Sequence, residues 1–342
     1  MSALYGLDPT RSQDMQATAQ GVSPLLFKKQ RPEDVPVTTR SVALFRFGEQ
    51  CNNHCPMCSN TGEAALFFHP TEELLRRAAF LRGRGFRRVV VTGGEATIHP
   101  GFWTVVERLA DDEMVWDINT HGRAFSQPGF AGRAVATGLR RAIVSLHSFD
   151  AATSAAIFGA DKTAHLETVA GIDHLLEAGV GVMLNCVLTQ LNLDQLDDYL
   201  REGVRRYGRR VAFKLVFPST IGKGGRWPGV ATLRYEDVRK PVQRLRALAL
   251  RMQVRLFLES FPNCVVRDPN SLNLGRSGFG ETHYLDDATG HRVYSMRHIE
   301  AELSAYGEAC RQCAALRRCP GVARTYAERY GVDELTPFPQ LT

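Results

Sequence analysis

The sequence predicts an α/β fold built from repeated strand–helix units. Six short segments rich in β-branched and aromatic residues alternate with segments whose apolar residues recur at helical spacing. Connections long enough to hold a helix join parallel strands, and right-handed crossovers wind such units into a barrel or an open sheet. In both arrangements ligands bind at the carboxyl ends of the strands.

The predicted strands and helices follow a polar, irregular start, residues 1–40, which we interpret as an N-terminal extension. Strands are expected at 42–47, 88–92, 115–119, 142–146, 180–187 and 211–217. Helices are expected at 71–85, 101–113, 164–179 and 193–208, whereas 123–140 is only weakly patterned. A polar motif lies at or directly after the carboxyl end of every predicted strand. This is where ligands bind in this fold class.

The pattern changes near residue 230. A basic helix (235–252), a β-like run (254–260), a hairpin around Asp-Ala-Thr-Gly (283–294) and a helix-like tail follow. We therefore expect three parts: the extension 1–40, the repeated βα units over 41–230, and a small α+β domain over 231–342.

Composition favours a soluble globular protein. Of 342 residues, 23% are charged and 44% hydrophobic, and no apolar run approaches the roughly 20 residues that span a bilayer. The N-terminus shows no basic start followed by an apolar stretch, so a cytoplasmic location without membrane attachment is expected. The net charge of +6 suggests at most an anionic substrate group, and much of it is expected on solvated helix faces. Nucleic acid is not an expected partner.

Seven of the eight cysteines fall into two groups, and in a reducing compartment such groups indicate metal ligands or catalytic thiols. The first group, Cys51, Cys55 and Cys58, follows the first strand with the spacing C-x3-C-x2-C. A structural zinc site normally has four ligands, and His54 is awkwardly placed beside Cys55. Three thiolates suit a 4Fe-4S cluster with one iron left open.

This loop resembles the signature of the radical S-adenosylmethionine (SAM) enzymes. The resemblance implies a partial (β/α)6 TIM-like barrel in which the open iron chelates the amino and carboxylate groups of SAM. Reductive cleavage of SAM would then give methionine and a 5′-deoxyadenosyl radical, which abstracts a hydrogen atom from the substrate. The resemblance also implies a protein reductant such as flavodoxin or ferredoxin.

Further motifs after later strands fit the same family. Gly93-Gly94-Glu95 resembles its GGE motif, which binds the amino group of SAM. Asn119-Thr120-His121-Gly122 resembles its T-N-G turn but carries histidine in place of asparagine. The SAM-binding residues that the resemblance implies are Met57, Gly93, Gly94, Glu95, Thr120, Ser145 and Asn185.

The second cysteine group is Cys264, Cys310, Cys313 and Cys319. Four thiolates satisfy either zinc or a fully ligated Fe-S cluster. In the family context this region resembles the twitch domain, a shortened SPASM domain, which implies a second, auxiliary 4Fe-4S cluster in a small C-terminal Fe-S domain. Without Cys264 as a ligand, that cluster would have an open iron. Cys186 is expected to be a small buried hydrophobic residue.

Two substrate classes remain open, a peptide side chain and a small anionic molecule such as a nucleotide. Resemblance to the enzyme that cyclises GTP in molybdenum-cofactor synthesis is partial, because its double-glycine C-terminus is absent. His121, His147, Arg123 and Lys162 are either substrate contacts or ordinary structural and solvated groups, and no catalytic residue is assigned. The competing hypothesis is a non-enzymatic binding module stapled by zinc at both cysteine groups.

Overall fold

A computed structural model describes residues 36–59, 67–219, 233–268, 281–286 and 289–339. Most of the expected N-terminal extension and the tip of the expected hairpin, residues 287–288, lie outside these ranges. Within them, no helix is both long and apolar enough to cross a membrane.

The α/β prediction is confirmed by a largely parallel sheet. All six expected strands form, and strands that follow one another along the chain pair in parallel. The strands are β1 Ser41–Arg46, β2 Arg88–Thr92, β3 Val115–Thr120, β4 Leu139–Ser145, β5 Gly181–Val187 and β6 Val211–Val216.

The sheet is larger than the six expected strands. β7 (Leu256–Glu259) pairs in parallel with β6, and β8 (Glu281–Leu285) pairs in parallel with β1 at the opposite end. β9 (Val293–Ser295) completes the expected antiparallel hairpin with β8, which gives a sheet of nine strands in the order β7-β6-β5-β4-β3-β2-β1-β8-β9. Strands beyond residue 230 therefore extend the sheet, and the division of the chain at that residue stays a prediction.

Helices cover the outer face of the sheet. The four expected in the βα region correspond to α1, α2, α5 and α6, while the weakly patterned 123–140 holds the short α3. The helices are α1 Thr71–Gly83, α2 Phe102–Asp111, α3 Phe130–Ala136, α4 Ala151–Phe158, α5 Lys162–Glu177, α6 Leu196–Tyr207, α7 Tyr235–Arg251, α8 Asn263–Val266, α9 Met296–Leu303 and α10 Arg324–Tyr330.

Helix α4 was not expected from the sequence, although its ends carry clear signals. The Asp150 side chain accepts a hydrogen bond from Thr153 N at 2.7 Å, which caps the first turn. Gly159 ends the helix in the left-handed conformation. The segment AATSAAIF consists mostly of small and apolar residues and shows no helical period. For this reason the sequence pattern did not predict a helix here.

The two faces of the sheet differ. The outer face carries the main core beneath the helices. The inner face has a small apolar cluster of Val42, Val90 and Ile143, packed with Leu44 and Met183. Polar side chains occupy this inner face toward the carboxyl ends of the strands, where the candidate site lies.

Candidate active site

The three-cysteine loop docks on the end of α4. The backbone N–H of His54 donates to the carbonyl of Phe158 at 2.8 Å, and the Cys55 thiol lies 3.7 Å from the same oxygen. Met57 is buried against Ile157. A Cβ added to Gly159 would lie 2.4 Å from the His54 carbonyl oxygen, so the loop needs a glycine there.

Gly93 and Gly94 bring the turn after β2 against the segment that leads into Cys51. Gly94 N donates to Gly48 O at 2.9 Å, and Glu95 N donates to Gln50 O at 2.8 Å. A Cβ on Gly94 would lie 2.1 Å from Gln50 O, and Gly93 has a φ of +140°. The two glycines therefore permit close contact between the two loops.

The Glu95 carboxylate is buried and tied to β3. It accepts hydrogen bonds from the Thr97 hydroxyl at 2.6 Å, the Thr120 hydroxyl at 2.9 Å and the His121 backbone N–H at 2.9 Å. Thr120, which was expected to contact SAM, therefore also fixes the Glu95 side chain. The negative charge of Glu95 acts on the nearby Cys51 thiol.

His121 and Arg123 hold the cysteine loop from the turn after β3. His121 Nδ1 accepts from Arg123 N at 3.2 Å, which assigns the ring proton to Nε2, and Nε2 lies 2.6 Å from Asn52 Oδ1. Burial lowers the pKa of His121 and favours the neutral ring. Arg123 donates to Asn52 O at 3.1 Å and to Asn53 Oδ1 at 2.9 Å, and pairs with Glu167 at 2.5 Å. Sequence reasoning missed this link because Asn52 and His121 are far apart in the chain.

Three polar side chains line the inner face at the ends of adjacent strands. Ser145 and Asn185 are register partners on β4 and β5, and Asn119 on β3 is the partner of Ile143 on the same face. The Oδ1 atoms of Asn119 and Asn185 are buried and accept no hydrogen bond from the described residues. Because buried polar atoms are nearly always satisfied, these oxygens fit a site for a polar ligand.

A buried ion pair continues this row and was not expected. Lys214 on β6 is the register partner of Asn185, and its Nζ lies 3.0 Å from Glu259 Oε2 on β7. Both residues are buried, and the register with Asn185 places Lys214 on the inner face. The signal was present in VAFKLVF, where a lysine interrupts an apolar strand.

His147 and Lys162 are the two remaining candidate substrate contacts. His147 is buried, and its Nδ1 accepts from Val187 N at 3.2 Å. Burial lowers the pKa of His147 to about 4, so the ring is neutral at physiological pH. Lys162 lies exposed at the first residue of α5. Cys186 is fully buried, as expected.

The three cysteines of the first group do not form a single-ion site in the part of the chain that the structure describes. Within the described ranges, no three His, Cys, Asp or Glu side chains are grouped so that they could hold one metal ion. A four-iron cluster is larger and holds its thiolates farther apart, which suits a loop carrying three of them. Burial raises the pKa of Cys51 to about 11, so a metal must displace its proton.

The structure brings the second cysteine group together. Cys264, Cys310, Cys313 and Cys319 all line one cavity near the C-terminus, although Cys264 is far from the others in sequence. Tyr306 and Leu335 also line this cavity. Burial raises the pKa of Cys264 and the pKa of Cys310, and it raises the pKa of Cys319 to about 11. These thiols too are therefore protonated in the absence of a metal.

Comparison with known proteins shows a family match over the part of the chain that carries this site. Residues 45–203 match the model of the radical SAM superfamily. A probable GTP 3′,8-cyclase of Sulfurisphaera tokodaii is 28% identical over 228 residues, 65% of this chain and 66% of the relative. The GTP 3′,8-cyclase of Gloeobacter violaceus is 33% identical over 119 residues, 33% of this chain and 37% of the relative. The chain thus spans less than two thirds of the length of these relatives.

Solved structures share the fold over most of the chain. Streptococcus suis SuiB bound to its precursor peptide SuiA has a TM-score of 0.59 at 10% identity and covers 97% of this chain and 85% of SuiB. Native anSMEcpe with bound AdoMet has a TM-score of 0.58 at 12% identity and covers 87% and 92% of the two chains. Identities this low show a common fold.

The matched region and the shared fold define a radical SAM domain, the domain of a class of enzymes. Residues 45–203 match that domain, and this match together with the relatives named GTP 3′,8-cyclases indicates an enzyme. A 4Fe-4S cluster and SAM are the cofactors that the family implies. The comparisons therefore favour an enzyme over the non-enzymatic zinc-stapled module.

Proposed function

We propose that this enzyme cleaves SAM reductively at a 4Fe-4S cluster held by Cys51, Cys55 and Cys58. The observation that carries the proposal is the convergence of three loops: the cysteine loop is hydrogen-bonded to the turn that carries Glu95 and to the turn that carries His121. When bound, the cluster supplies the electron that breaks a carbon–sulfur bond of SAM. A reductant such as flavodoxin or ferredoxin would deliver that electron.

The chain's own residues would bind and orient SAM. Glu95 carries the buried negative charge at the site and would accept from the SAM ammonium group, a strong charge-assisted interaction. Ser145 and Asn185 lie side by side on the inner face, where the unsatisfied oxygen of Asn185 would accept from the adenosyl moiety. The backbone at Met57 would contact the adenine, and the buried Met57 side chain holds that backbone in place.

The substrate class that we favour is a small anionic, nucleotide-like molecule. The support for this class is that the sequence relatives are named GTP 3′,8-cyclases. A peptide side chain is the second candidate, because the neighbour that covers 97% of this chain is SuiB bound to a precursor peptide.

The second cysteine group would hold an auxiliary 4Fe-4S cluster with four thiolate ligands. Support comes from the single cavity that all four cysteines line. Replacing Cys310 and Cys313 by alanine should halve the iron content of anaerobically purified protein. Iron content unchanged by this double substitution would contradict an auxiliary cluster. Stoichiometric zinc in the wild type would show that the four cysteines form a zinc site instead.

Hydrogen transfer to 5′-deoxyadenosine tests the substrate class. Anaerobic protein would be incubated with SAM, a reductant and GTP deuterated on the ribose. We expect deuterium in the 5′-deoxyadenosine, because a nucleotide bound at the strand ends would lose hydrogen to the radical. Unlabelled 5′-deoxyadenosine would contradict GTP as the substrate, and the same assay with candidate deuterated peptides would then test the second class.

A further inference from the structure

A C-terminal strap, residues 334–338, closes one side of the four-cysteine cavity. Leu335 and Pro337 line the cavity directly. The backbone N–H of Phe338 donates to Cys313 Sγ at 3.3 Å, and the backbone N–H of Thr336 faces Cys264 and acts on its thiol. Ala314 N donates back to Phe338 O at 3.1 Å, so the strap is hydrogen-bonded to the chain directly after Cys313.

The sequence of the strap matches this arrangement residue by residue. In T-P-F-P, residues 336–339, the two prolines have no backbone N–H. The other two residues, Thr336 and Phe338, direct their N–H groups at two different cysteines. Every backbone donor of this stretch is therefore directed at a thiol.

One guanidinium fixes the strap to the rest of the site. Arg239 on α7 donates to the backbone oxygen of Glu334 at 2.7 Å, to the Thr336 hydroxyl at 3.2 Å and to the backbone oxygen of Cys264 at 3.1 Å. It thus joins the strap to α8, which carries one of the four cysteines.

The start of the strap has further anchors. The Glu334 carboxylate accepts from the Tyr326 hydroxyl and from Glu236 N at 2.7 Å, and Tyr326 is buried. Tyr326 in turn accepts from Tyr235 N at 3.0 Å. These contacts to both α7 and α10 give the strap a defined position over the cavity.

We propose that the strap is an integral part of the auxiliary site, in which it shields the cluster and donates hydrogen bonds to its thiolates, and that Arg239 is the residue that positions it. This inference rests on the auxiliary cluster of the proposed function. Backbone N–H groups stabilise negative charge on sulfur, and outer contacts of this kind govern how firmly ligands hold a metal centre. Exclusion of water and oxygen protects the cluster from loss.

The test is the loss of iron from holoenzyme in air. Arg239→Ala and Arg239→Lys are compared with Arg244→Ala, because Arg244 lies on the same helix but pairs at the surface with Asp197. All variants are reconstituted anaerobically, checked for folding by circular dichroism and then exposed to air while iron is measured. We expect Arg239→Ala to lose half of its iron several times faster than wild type, Arg239→Lys to lie in between, and Arg244→Ala to match wild type.

Two outcomes overturn the inference in distinguishable ways. If wild type and the Cys310→Ala/Cys313→Ala variant contain equal iron, the auxiliary cluster is absent, and that part of the proposed function fails together with the role of the strap. If wild type carries the additional iron but Arg239→Ala loses it at the rate of Arg244→Ala, the auxiliary cluster stands and the role of the strap is overturned.

Discussion

His121 Nε2 lies 2.6 Å from Asn52 Oδ1, and this contact joins the turn after β3 to the loop of the three cysteines. The same turn holds Glu95 through the backbone N–H of His121. The family pattern that this turn resembles has asparagine at the histidine position. The imidazole of His121 therefore links the loop of the three cysteines to the turn that holds Glu95, the carboxylate that we propose binds SAM.

Replacing His121 by alanine should loosen the cysteine loop without unfolding the protein. The lost hydrogen bond is worth about 1 kcal/mol, which corresponds to roughly a fivefold to tenfold decrease in the rate of SAM cleavage. The rate of 5′-deoxyadenosine formation measures it, with the exposed His291→Ala as the control. Equal rates for the two variants would show that the link has no functional effect.

Gly159→Ala and Gly179→Ala form a matched pair of variants. Comparing them separates the effect of backbone strain from the effect of a clash with the cysteine loop. Both glycines have positive φ, +58° and +78°, so each substitution should cost about 1 kcal/mol of stability. An added Cβ meets the His54 carbonyl only at Gly159, and no atom lies within 4 Å of it at Gly179. Only Gly159→Ala should lose iron from the first cluster, as measured by iron analysis in a variant that lacks Cys310 and Cys313. Equal iron in both glycine variants would contradict docking of the loop on α4.

Glu95→Gln should impair SAM binding more than its small change in size suggests. The substitution removes the buried negative charge and places an amide N–H2 group toward donors from Thr120 and His121. We expect SAM affinity, measured by calorimetry on reconstituted protein, to fall about 100-fold, since a charge-assisted hydrogen bond is worth about 3 kcal/mol. Glu107→Gln, at an exposed pair with Arg133, is the control and should bind SAM normally. A normal SAM affinity of the Glu95→Gln variant would show that Glu95 does not bind SAM.

His147 should make the protein less stable in mild acid. Its pKa is about 4 in the folded state and 6.5 ordinarily, so between these values the unfolded chain binds a proton that the folded chain does not. Stability is therefore full above pH 6.5 and falls as the pH approaches 4, by up to about 3 kcal/mol.

His147→Asn tests this dependence, because asparagine retains an acceptor for Val187 N. Urea denaturation at about pH 7.5 and about pH 5 should show a smaller drop in unfolding free energy for His147→Asn than for wild type or the exposed control His291→Asn. The same drop in all three proteins would contradict a buried neutral histidine at position 147.

The sequence predicted the strands more fully than the site. Alternating apolar runs are local signals, so β2 was located with the correct ends and β1 to within one residue. Pairing is not local, which is why the joining of β8 to β1 and of β7 to β6 could not be predicted. The cysteine groups and the GGE motif were readable because their chemistry requires fixed residue types at fixed spacing.

The contacts that support the site were hidden for the same physical reason. His121 and Asn52, Lys214 and Glu259, and Arg239 and the strap each lie far apart in the chain. Only the folded sheet brings such pairs together, and a single sequence does not show which polar residues will meet. His121 was visible through the turn motif that contains it, and Lys214 was visible as a charge within an apolar strand.

The formation of 5′-deoxyadenosine by reduced, reconstituted protein tests most directly whether the Cys51, Cys55 and Cys58 loop is the centre of SAM chemistry. Wild type should form 5′-deoxyadenosine, Cys310→Ala/Cys313→Ala should retain part of this activity with half of the iron, and Cys55→Ala should form none. A wild-type protein that binds only zinc and forms no 5′-deoxyadenosine would contradict the assignment.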